Sequence, residues 1–563
     1  MAAIDGGMTR RDVLAGAASG AALAALAPHS ALAQGAATVS GIVFENRDGS
    51  GKVGSGNPGL ANVLVSNGRD VAVTDAEGRY TLPLPDEATI FVVKPQDFMP
   101  PVDPTTQLPR FYRHHYPNGS PASLNLMFEG IAPTAPMQAS LDFPLARQDE
   151  PKAFEVVMIT DPQPENEAEV DFIREDLADA LKDTKGRFAI NAGDIMFDDL
   201  SLYPRLNGIL GSLGLPWWVV GGNHDLNFEA PNRKYSRETF KRVFGPNYYA
   251  FAYSGALFLM LDDVDYLGPD PAKPGASGKY VGRIDDAQLD FIRNVLDHTP
   301  QETLVVAVMH IPIRTFLDDE PYQNLENRDA LFRLLEGRKH CVSFAGHTHT
   351  TEHHYFGEAD GWKGAEPHHH HILTAFSGSW WSGPPDHRGV ASADSRDGTP
   401  NGFHIMSIDG NAYATRFVPA KEPNARPMRL SILSRFHGLT KDSDQKFRQP
   451  RTLGSPVPQT SLHASTLVAN VFDGGEKTKV TMRVGDRAPV AMTRESRPDP
   501  FVQEVFARHE ETKKYWVKAE KSSHVWTARL PDDLKPGAYP VLVEATGEYG
   551  QTMSGRIVLE VTG

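Results

Sequence analysis

An apolar run that ends in two glycines and three polar residues constrains the fold of this chain most strongly. Residues 216–220 read Pro-Trp-Trp-Val-Val, and two glycines separate them from Asn223, His224 and Asp225. This pattern predicts a buried strand that ends in a polar loop. Open α/β sheets place their chemistry in the loops at the carboxyl ends of their strands. The stretch therefore predicts a functional site at one edge of a sheet.

Four other segments have the same form, an apolar run that ends in polar residues. The polar ends are Asp161-Pro162-Gln163, Gly193-Asp194, His310 and Gly346-His347-Thr348-His349. Apolar residues at helical spacing fill residues 167–182, and residues 285–296 and 328–335 are further helix candidates. Because strands and helices alternate over residues 152–419, we predict an α/β catalytic domain there.

The polar residues at these strand ends are of the types that bind transition metals. Seven of them are candidate ligands: Asp161, Gln163, Asp194, Asn223, His310, His347 and His349. Carboxylate, amide and imidazole groups together suit Mn, Fe, Zn or Co better than an all-oxygen calcium site. One carboxylate, Asp194, can bridge two ions about 3.5–4 Å apart, as two-metal hydrolases require. The sequence therefore predicts two divalent metal ions.

The ordered set resembles the calcineurin-like metallophosphoesterase family, whose motifs are Asp-x-His, Gly-Asp, Gly-Asn-His-Asp/Glu, His and Gly-His-x-His. The resemblance covers about residues 154–418, and residues 378–383 and 397–402 are similar to an exported bacterial subgroup with β-sandwich domains on both sides. The resemblance implies a β-sandwich core with flanking helices. It also implies a phosphoesterase in which a metal-bridging hydroxide attacks phosphorus in line.

The resemblance also implies a role for each site residue. One metal would be held by Asp161, Gln163, Asp194 and His349, and the other by Asp194, Asn223, His310 and His347. His224 would be the catalytic histidine that protonates the leaving alkoxide, within a catalytic loop that also contains Asn223 and Asp225. Either Asp225 or Asp198 would orient its imidazole. Gln163 stands where many relatives have histidine, and its harder amide oxygen favours Mn²⁺.

The charges support an anionic substrate. Two divalent ions against the carboxylates of Asp161 and Asp194 leave a positive site within a chain of net charge -15. The function expected is a phosphodiesterase outside the cytoplasm, and a phosphomonoesterase of the same fold is the alternative. A non-catalytic surface or glycan-binding protein with a vestigial metal site is the rival from another class, although no ligand is missing. No nucleic acid is expected as a stable partner, because that needs a basic face.

The regions on both sides of the catalytic domain have their own signatures. Residues 1–33 contain Arg10-Arg11, an Ala-rich run and the small-x-small sequence Ala31-Leu32-Ala33. They predict a twin-arginine signal peptide and hence a periplasmic or extracellular protein without a transmembrane segment. Residues 38–146 predict a β-sandwich similar to transthyretin or carboxypeptidase-regulatory domains. Residues 421–563 predict a second, C-terminal β-sandwich.

Two further features carry weaker signals. Trp380 and Trp381 lie in a loop rich in Gly and Ser, where indole rings could stack on a sugar or base of the substrate. Four consecutive histidines, residues 368–371, precede an apolar run, so that two would face each side of a strand. A role in supporting the site or in binding substrate would account for them, and so would a polar strand edge.

Overall fold

The N-terminal domain is an all-β sandwich, as the sequence predicts. The computed structural model describes residues 37–54, 56–272, 278–421, 426–433 and 454–563, and the predicted signal peptide, residues 1–33, lies outside them. The strands of this domain are β1 (Thr38–Glu45), β2 (Leu64–Ser66), β3 (Val71–Val73), β4 (Arg79–Pro83), β5 (Ala88–Val92), β6 (Phe98–Met99), β7 (Tyr112–His115) and β8 (Phe143–Arg147). They form two sheets, ordered β4-β1-β8-β6 and β3-β2-β5-β7. Alternating apolar residues such as Val43, Val65 and Ile90 are buried between them.

The catalytic domain alternates strands and helices. Its strands are β9 (Ala153–Ile159), β10 (Gly186–Asn191), β11 (Trp217–Val219), β12 (Tyr249–Tyr253), β13 (Ala256–Met260), β14 (Val264–Gly268), β15 (Lys279–Gly282), β16 (Leu304–Val308), β17 (Cys341–Ala345), β18 (Glu352–Phe356), β19 (His368–Ile372), β20 (Gly402–Asp409) and β21 (Ala412–Pro419). Its helices are α1 (Glu167–Leu181), α2 (Tyr203–Gly211), α3 (Glu238–Phe244), α4 (Asp286–Asp297) and α5 (Arg328–Leu335). The α/β class with a β-sandwich core is therefore confirmed.

Two mixed sheets form that core. One has the order β11-β10-β9-β20-β21 and the other the order β12-β13-β16-β17-β19-β18. Strands β9, β10 and β11 are parallel, with Ile159, Asn191 and Val219 in register near their carboxyl ends. Strands β16 and β17 are parallel too, and Val308 pairs with Phe344. The polar segments that follow these five strands can therefore meet at one edge of the sandwich.

Apolar side chains on both faces of the first sheet fix its position. Phe154, Val156 and Met158 of β9 belong to the same buried cluster as the six-stranded sheet. On the opposite face, Val157 and Ile159 pack with the apolar side chains of α1 and α2. A strand that is buried on both faces reads as a continuous apolar run, which is why β9 was predictable.

The described residues of the C-terminal domain form a second β-sandwich, and they include a helix that the sequence pattern did not predict. The elements of this domain are β22 (Met428–Leu433), β23 (Val457–Pro458), β24 (Thr466–Val471), β25 (Lys479–Val484), β26 (Val490–Ala491), β27 (Thr493–Arg497), α6 (Pro500–Arg508), β28 (Ser522–Arg529), β29 (Gly537–Thr546) and β30 (Thr552–Thr562). The Asp499 side chain caps α6 by accepting the Phe501 N–H, and Pro500 occupies its first turn. Within the described part of the chain, no helix combines the length and hydropathy that crossing a bilayer requires.

Candidate metal centre

The structure brings the predicted ligands together where β9, β10, β11, β16 and β17 end. Six of them are buried and His347 is half-buried. His310 Nε2 lies 3.2 Å from Asp194 Oδ2 and 3.1 Å from Asn223 Oδ1. The donor atoms of Asp194, His310 and His347 all lie within 4.8 Å of one another. Gln163 Nε2 donates to Asp194 Oδ2 over 2.6 Å, and His349 Nε2 lies 3.7 Å from Asp161 Oδ1.

Each of the three histidines contacts a main-chain carbonyl through one ring nitrogen. His310 Nδ1 donates to Ala192 O over 3.0 Å, and His347 Nε2 donates to Tyr322 O over 2.9 Å. His349 Nδ1 donates to the Gly378 carbonyl. Because a neutral imidazole carries one proton, these hydrogen bonds leave a lone pair on the other nitrogen of each ring. Metal-binding histidines are oriented in this way.

The donor set fits two divalent ions that share Asp194. His349 Nε2 and Gln163 Oε1 are buried and have no hydrogen-bond partner among the described residues. His310 Nε2 faces two oxygens, from Asp194 and Asn223, so either a proton on this nitrogen or a cation between the three atoms must compensate them. Buried polar atoms without partners are costly, and bound metal ions would satisfy all of them.

Ionisation of the ligands follows from burial and mutual charge. Burial lowers the pKa of both His347 and His349 to about 3, so their rings are neutral. Burial would also lower the pKa of His310, but the Asp194 carboxylate beside it raises that pKa to about 10. Burial raises the pKa of Asp161 to about 7, which Coulomb attraction to His310 opposes. Bound cations would take over the stabilisation of these carboxylates that the protonated His310 provides.

The main chain at the ligands is strained. Asp161, Gln163, Asp194, His347 and His349 all have positive φ angles, of 51°, 37°, 49°, 75° and 53° respectively. Such conformations are uncommon for residues other than glycine, and they concentrate at functional sites. In an extended strand, neighbouring side chains would point to opposite faces. These turns instead direct the ligand side chains toward the same candidate metal centre.

Two glycines let the turns approach the carboxylates. A Cβ atom on Gly222 would lie 2.1 Å from Asp194 Oδ1, and one on Gly346 would lie 2.3 Å from Asp161 Oδ2. No real Cβ contact is that short, so any side chain here would displace a ligand. The glycines that precede Asn223 and His347 in the sequence are therefore required by the packing of the site.

His224 lies beside the ligands and is held by Asp198. Its Nδ1 lies 2.6 Å from Asp198 Oδ1, and its main-chain N–H donates to Asp194 Oδ1 over 2.8 Å. The Phe197 ring stacks on the imidazole at a centroid distance of 4.5 Å. Burial would lower the pKa of His224, but Asp194 and Asp198 raise it to about 9. The structure thus places a histidine that favours its protonated form at the edge of the candidate metal centre.

Asp225 occupies a different place from the one expected of a catalytic residue. It is fully buried, and its carboxylate accepts the N–H groups of Gly222, Ile195 and Met196 and the hydroxyl of Tyr203. These bonds tie the loop after β10 to the loop after β11. Of the two aspartates between which the sequence did not decide, Asp198 therefore contacts His224, whereas the Asp225 carboxylate bonds the main chain and Tyr203.

The two adjacent tryptophans have different environments. Trp380 stacks on His349 with ring centroids 3.8 Å apart, so it lies at the metal centre. Trp381 is buried, packs against Phe172 and Phe376, and donates its indole N–H to Pro162 O over 3.1 Å. Because the core covers its indole ring, Trp381 does not face the site where a substrate could stack, unlike the expectation from the sequence. Both residues have positive φ angles, 54° and 55°, so their side chains do not follow the alternation between the two faces that an extended strand would impose.

The C-terminal domain contributes an aromatic residue that the sequence interpretation missed. Trp516 lies 5.8 Å from Phe197 in a stacked arrangement and 6.3 Å from Trp380 edge-on. It therefore bridges the ring that covers His224 and the ring that covers His349. Lys514 lies 5.3 Å from the Phe197 ring centroid. No local motif marks these residues, because they reach the site only through the docking of two domains.

Three family models match segments of the chain. The family model described as calcineurin-like phosphoesterase matches residues 154–351. The models for the N terminal and the C terminal of calcineurin-like phosphoesterase match residues 47–129 and 370–553. No protein of curated function matches the chain in sequence.

The chain is also similar to solved structures, two of which are phosphatases. A dimetal phosphatase from Danio rerio is 15% identical with a TM-score of 0.33, over 47% of this chain and 95% of its own. The purple acid phosphatase PPD1 from yellow lupin (Lupinus luteus) seeds is 11% identical with a TM-score of 0.36, over 65% of this chain and 68% of its own.

Proposed function

We propose that this chain, a metal-dependent phosphoesterase of the calcineurin-like phosphoesterase family, is a phosphodiesterase. It would act outside the cytoplasm with two divalent ions, preferentially Mn²⁺. The observation that carries the site assignment is the orientation of His310, His347 and His349. Each donates one ring N–H to a main-chain carbonyl, which keeps the other nitrogen for a metal.

The ligands divide into two sets that meet at Asp194. Asp161, Gln163 and His349 would complete one site, and Asn223, His310 and His347 would complete the other. When bound, the ions would supply Lewis-acid chemistry, lowering the pKa of water and neutralising charge on the phosphoryl group. The Gln163 amide oxygen is a hard donor, which supports Mn²⁺ over softer ions.

His224 would supply a proton to the departing alkoxide oxygen. Asp198 accepts the Nδ1 proton over 2.6 Å, so Nε2–H is left to serve as the acid. The raised pKa of His224, about 9, keeps this group protonated at neutral pH. The stacked Phe197 ring restricts the plane of the His224 imidazole, and the hydrogen bond to Asp198 fixes the orientation of the ring within that plane.

The charges around the site support a diester more than a monoester. Lys514 is paired with Glu165 at 2.8 Å and with Glu169 at 3.3 Å, and Arg396 is paired with Glu520 at 2.5 Å. These basic groups are therefore neutralised by protein carboxylates. A diester carries one negative charge and two organic substituents. The aromatic side chains of Phe197, Trp380 and Trp516 therefore suit a diester better than the dianion of a monoester.

Hydrolysis of matched ester pairs tests this function. We expect the Mn²⁺-loaded protein to hydrolyse bis(p-nitrophenyl) phosphate with a higher kcat/KM than p-nitrophenyl phosphate, and chelation to remove both activities reversibly. Higher kcat/KM on the monoester would favour the alternative phosphomonoesterase. Absence of hydrolysis of either ester by metal-loaded protein would instead support a binding protein with a vestigial site.

Replacing Trp516 with alanine tests whether the C-terminal domain takes part in substrate binding. An aromatic contact contributes about 0.5–1.5 kcal/mol, so we expect KM for a diester to rise about 2–10-fold while kcat changes little. Tyr515→Ala is the control, since Tyr515 is 90% exposed in the same segment. An unchanged KM in the Trp516 variant would place the substrate elsewhere.

Export is proposed from the sequence of residues 1–33 alone. Replacing both Arg10 and Arg11 with lysine should leave a folded, uncleaved precursor in the cytoplasm, because twin-arginine transport requires the arginine pair. Fractionation followed by immunoblotting checks this result. Normal export of the double variant would contradict the twin-arginine route.

A further inference from the structure

The run of four histidines is not a polar strand edge, because β19 lies between β17 and β18 and all four residues are buried. On one face of the strand, His368 and His370 both contact the Ser343 hydroxyl over 2.8 Å, and His370 Nε2 accepts the Ile313 N–H. That face is satisfied by ordinary hydrogen bonds. The other face carries His369 and His371 and is different.

His371 meets a histidine and a carboxylate from two other elements. His353 of β18 pairs with it across the sheet, and their rings stack with centroids 3.9 Å apart. Asp473, in the turn after β24 of the C-terminal domain, lies against both. Its Oδ1 is 2.9 Å from His371 Nε2 and 3.1 Å from His353 Nε2. The donor atoms of these three residues, from the catalytic and the C-terminal domain, all lie within 4.8 Å of one another.

This cluster is buried and lacks an obvious cation. His353 and His371 are fully buried, and Asp473 is 5% exposed. Among the described residues, the ion-pair partners of Asp473 within 4 Å are histidines, without a lysine or arginine. A buried carboxylate needs a compensating positive charge. Either a protonated imidazole or a metal ion must supply it.

The hydrogen bonds around His371 favour a metal ion. The Thr415 hydroxyl donates to Tyr549 Oη over 3.1 Å, so its oxygen is left to accept from His371 Nδ1 at 3.4 Å. A neutral ring with its proton on Nδ1 turns an Nε2 lone pair toward Asp473. Within the described residues, His371 Nε2 has no hydrogen-bond partner. A lone pair 2.9 Å from a carboxylate oxygen is repelled unless a cation lies between them.

His353 has a supporting chain of the same kind. Its Nδ1 lies 2.9 Å from His369 Nε2, and His369 Nδ1 lies 2.7 Å from the Tyr413 hydroxyl. His353 Nε2 lies within hydrogen-bond distance of Asp473 Oδ1, at 3.1 Å. In the tautomer in which His353 donates to His369 and His369 donates to Tyr413, that Nε2 instead presents a lone pair to a cation beside Asp473. Such outer hydrogen bonds fix the tautomer of metal-binding histidines.

We propose that His353, His371 and Asp473 bind a zinc ion that joins the catalytic domain to the C-terminal domain. Two imidazoles and a carboxylate are a zinc donor set, and with Zn–ligand distances of about 2.0–2.2 Å the donors of a tetrahedral site lie about 3.3 Å apart. The observed separations of 2.9 and 3.1 Å from Asp473 Oδ1 are close to that spacing.

A fourth position lies beside His404, whose Nδ1 is 3.8 Å from the same carboxylate oxygen. His404 Nε2 accepts the Thr374 N–H over 3.2 Å, which places the imidazole proton on Nδ1 in the metal-free chain. His404 would therefore have to lose that proton before it could bind zinc. We assign it as a neighbour of the site and the other three residues as ligands.

The sequence permits the close approach that this site needs. Asp473 is followed by two glycines, and a Cβ on Gly475 would lie 2.7 Å from His353 Cβ. The turn that contains Asp473 therefore packs directly on His353 of β18 only because Gly475 has no side chain. A metal that binds only the docked arrangement would stabilise the contact between the domains.

Zinc content in a chain with a disabled catalytic centre tests this site independently of the proposed function. Full-length Asp194→Asn protein, purified from zinc-supplemented cells, should retain about one zinc per chain, as expected for a buried His/carboxylate site. Adding His371→Gln should remove that ion. Adding His370→Gln, on the opposite face of the same strand, should not. Chelation should lower the melting temperature of the Asp194→Asn protein but not of the His371→Gln double variant.

Equal zinc content in the two double variants, or absence of zinc from the Asp194→Asn chain, would overturn the assignment. Because His371→Gln alters a buried residue, a second measurement on the unaltered protein is needed in case the variant does not fold. Anomalous difference maps above and below the zinc edge should show a peak between His353, His371 and Asp473. Zinc peaks at the catalytic centre without one at this cluster would refute it.

Discussion

Replacing Asp194 with asparagine is expected to lower phosphoester hydrolysis about 10³-fold and to weaken both catalytic metal sites together. Metal ions contribute several kcal/mol to such reactions, and each ~1.4 kcal/mol corresponds to tenfold in rate. Asp194 is the carboxylate that contacts His310, Gln163 and the main chain of His224. Its loss removes a charge that both metal sites share. Elemental analysis and kcat/KM on a diester measure the two effects.

Asp199→Asn is the matched control for this change. Asp199 lies on the same loop, but its carboxylate accepts hydrogen bonds from the N–H and the hydroxyl of Ser201, where asparagine is an equally good cap. Gln163→Ala should weaken chiefly one of the two sites. Loss of a single ion from Asp194→Asn, with the other bound at unchanged affinity, would show that Asp194 does not bridge.

Replacing His224 with asparagine is expected to lower kcat on alkyl phosphodiesters about 10²–10⁴-fold, the usual contribution of a positioned general acid. Both metals should remain, because His224 is placed beside the ligands by Asp198 and Phe197 and is not itself a ligand. An alkoxide leaving group needs a proton, whereas a nitrophenolate is already stable as an anion. The loss on a nitrophenyl ester should therefore be much smaller.

Asp198→Asn gives a second, graded test of the same role. Asp198 is one of the carboxylates that raise the pKa of His224 to about 9. Its removal lowers that pKa, so the protonated acid is lost at lower pH and the alkaline limb of the kcat profile should move down in pH. An unmoved limb, or a His224→Asn protein that has lost a metal, would contradict the assignment of His224 as the acid.

The candidate metal ligands could be located from the sequence because each follows an apolar strand closely. The runs before Asp161, Asp194 and His310 are buried strands whose carboxyl ends lie at one edge of the core, and strand ends are readable from hydrophobicity alone. The β-sandwich core was expected from the family resemblance and is confirmed. Helix α6 was not expected, because nine residues with only Val502 and Phe506 buried leave a weak periodic signal.

The finer assignments depend on turns that the sequence does not reveal. Asp225 directly follows His224 in the sequence, but it is Asp198, from the loop after β10 and with a positive φ of 68°, whose carboxylate contacts the imidazole. The same effect separates Trp380, which stacks on His349, from Trp381, which enters the core. Side chains in left-handed turns do not follow the alternation of strands, so periodicity cannot place them.

Contacts between domains were beyond the sequence for another reason. Trp516 reaches Phe197, and Asp473 reaches His353, only after the C-terminal sandwich has docked on the catalytic domain. Both contacts join residues more than a hundred positions apart, and no local pattern specifies such a pairing. The role of the β19 histidines could therefore not be decided from the sequence, because the carboxylate that His371 contacts, Asp473, belongs to another domain.

Anomalous diffraction from crystals of the Mn²⁺-loaded protein tests the central claim most directly. If two ions share Asp194, maps collected with wavelengths on both sides of the manganese edge will show two peaks about 3.5–4 Å apart. One peak should lie near Asp161 and His349, and the other near His310 and His347. A single peak, or none, in a crystal of protein that hydrolyses phosphoesters under the same metal conditions would contradict the dinuclear centre.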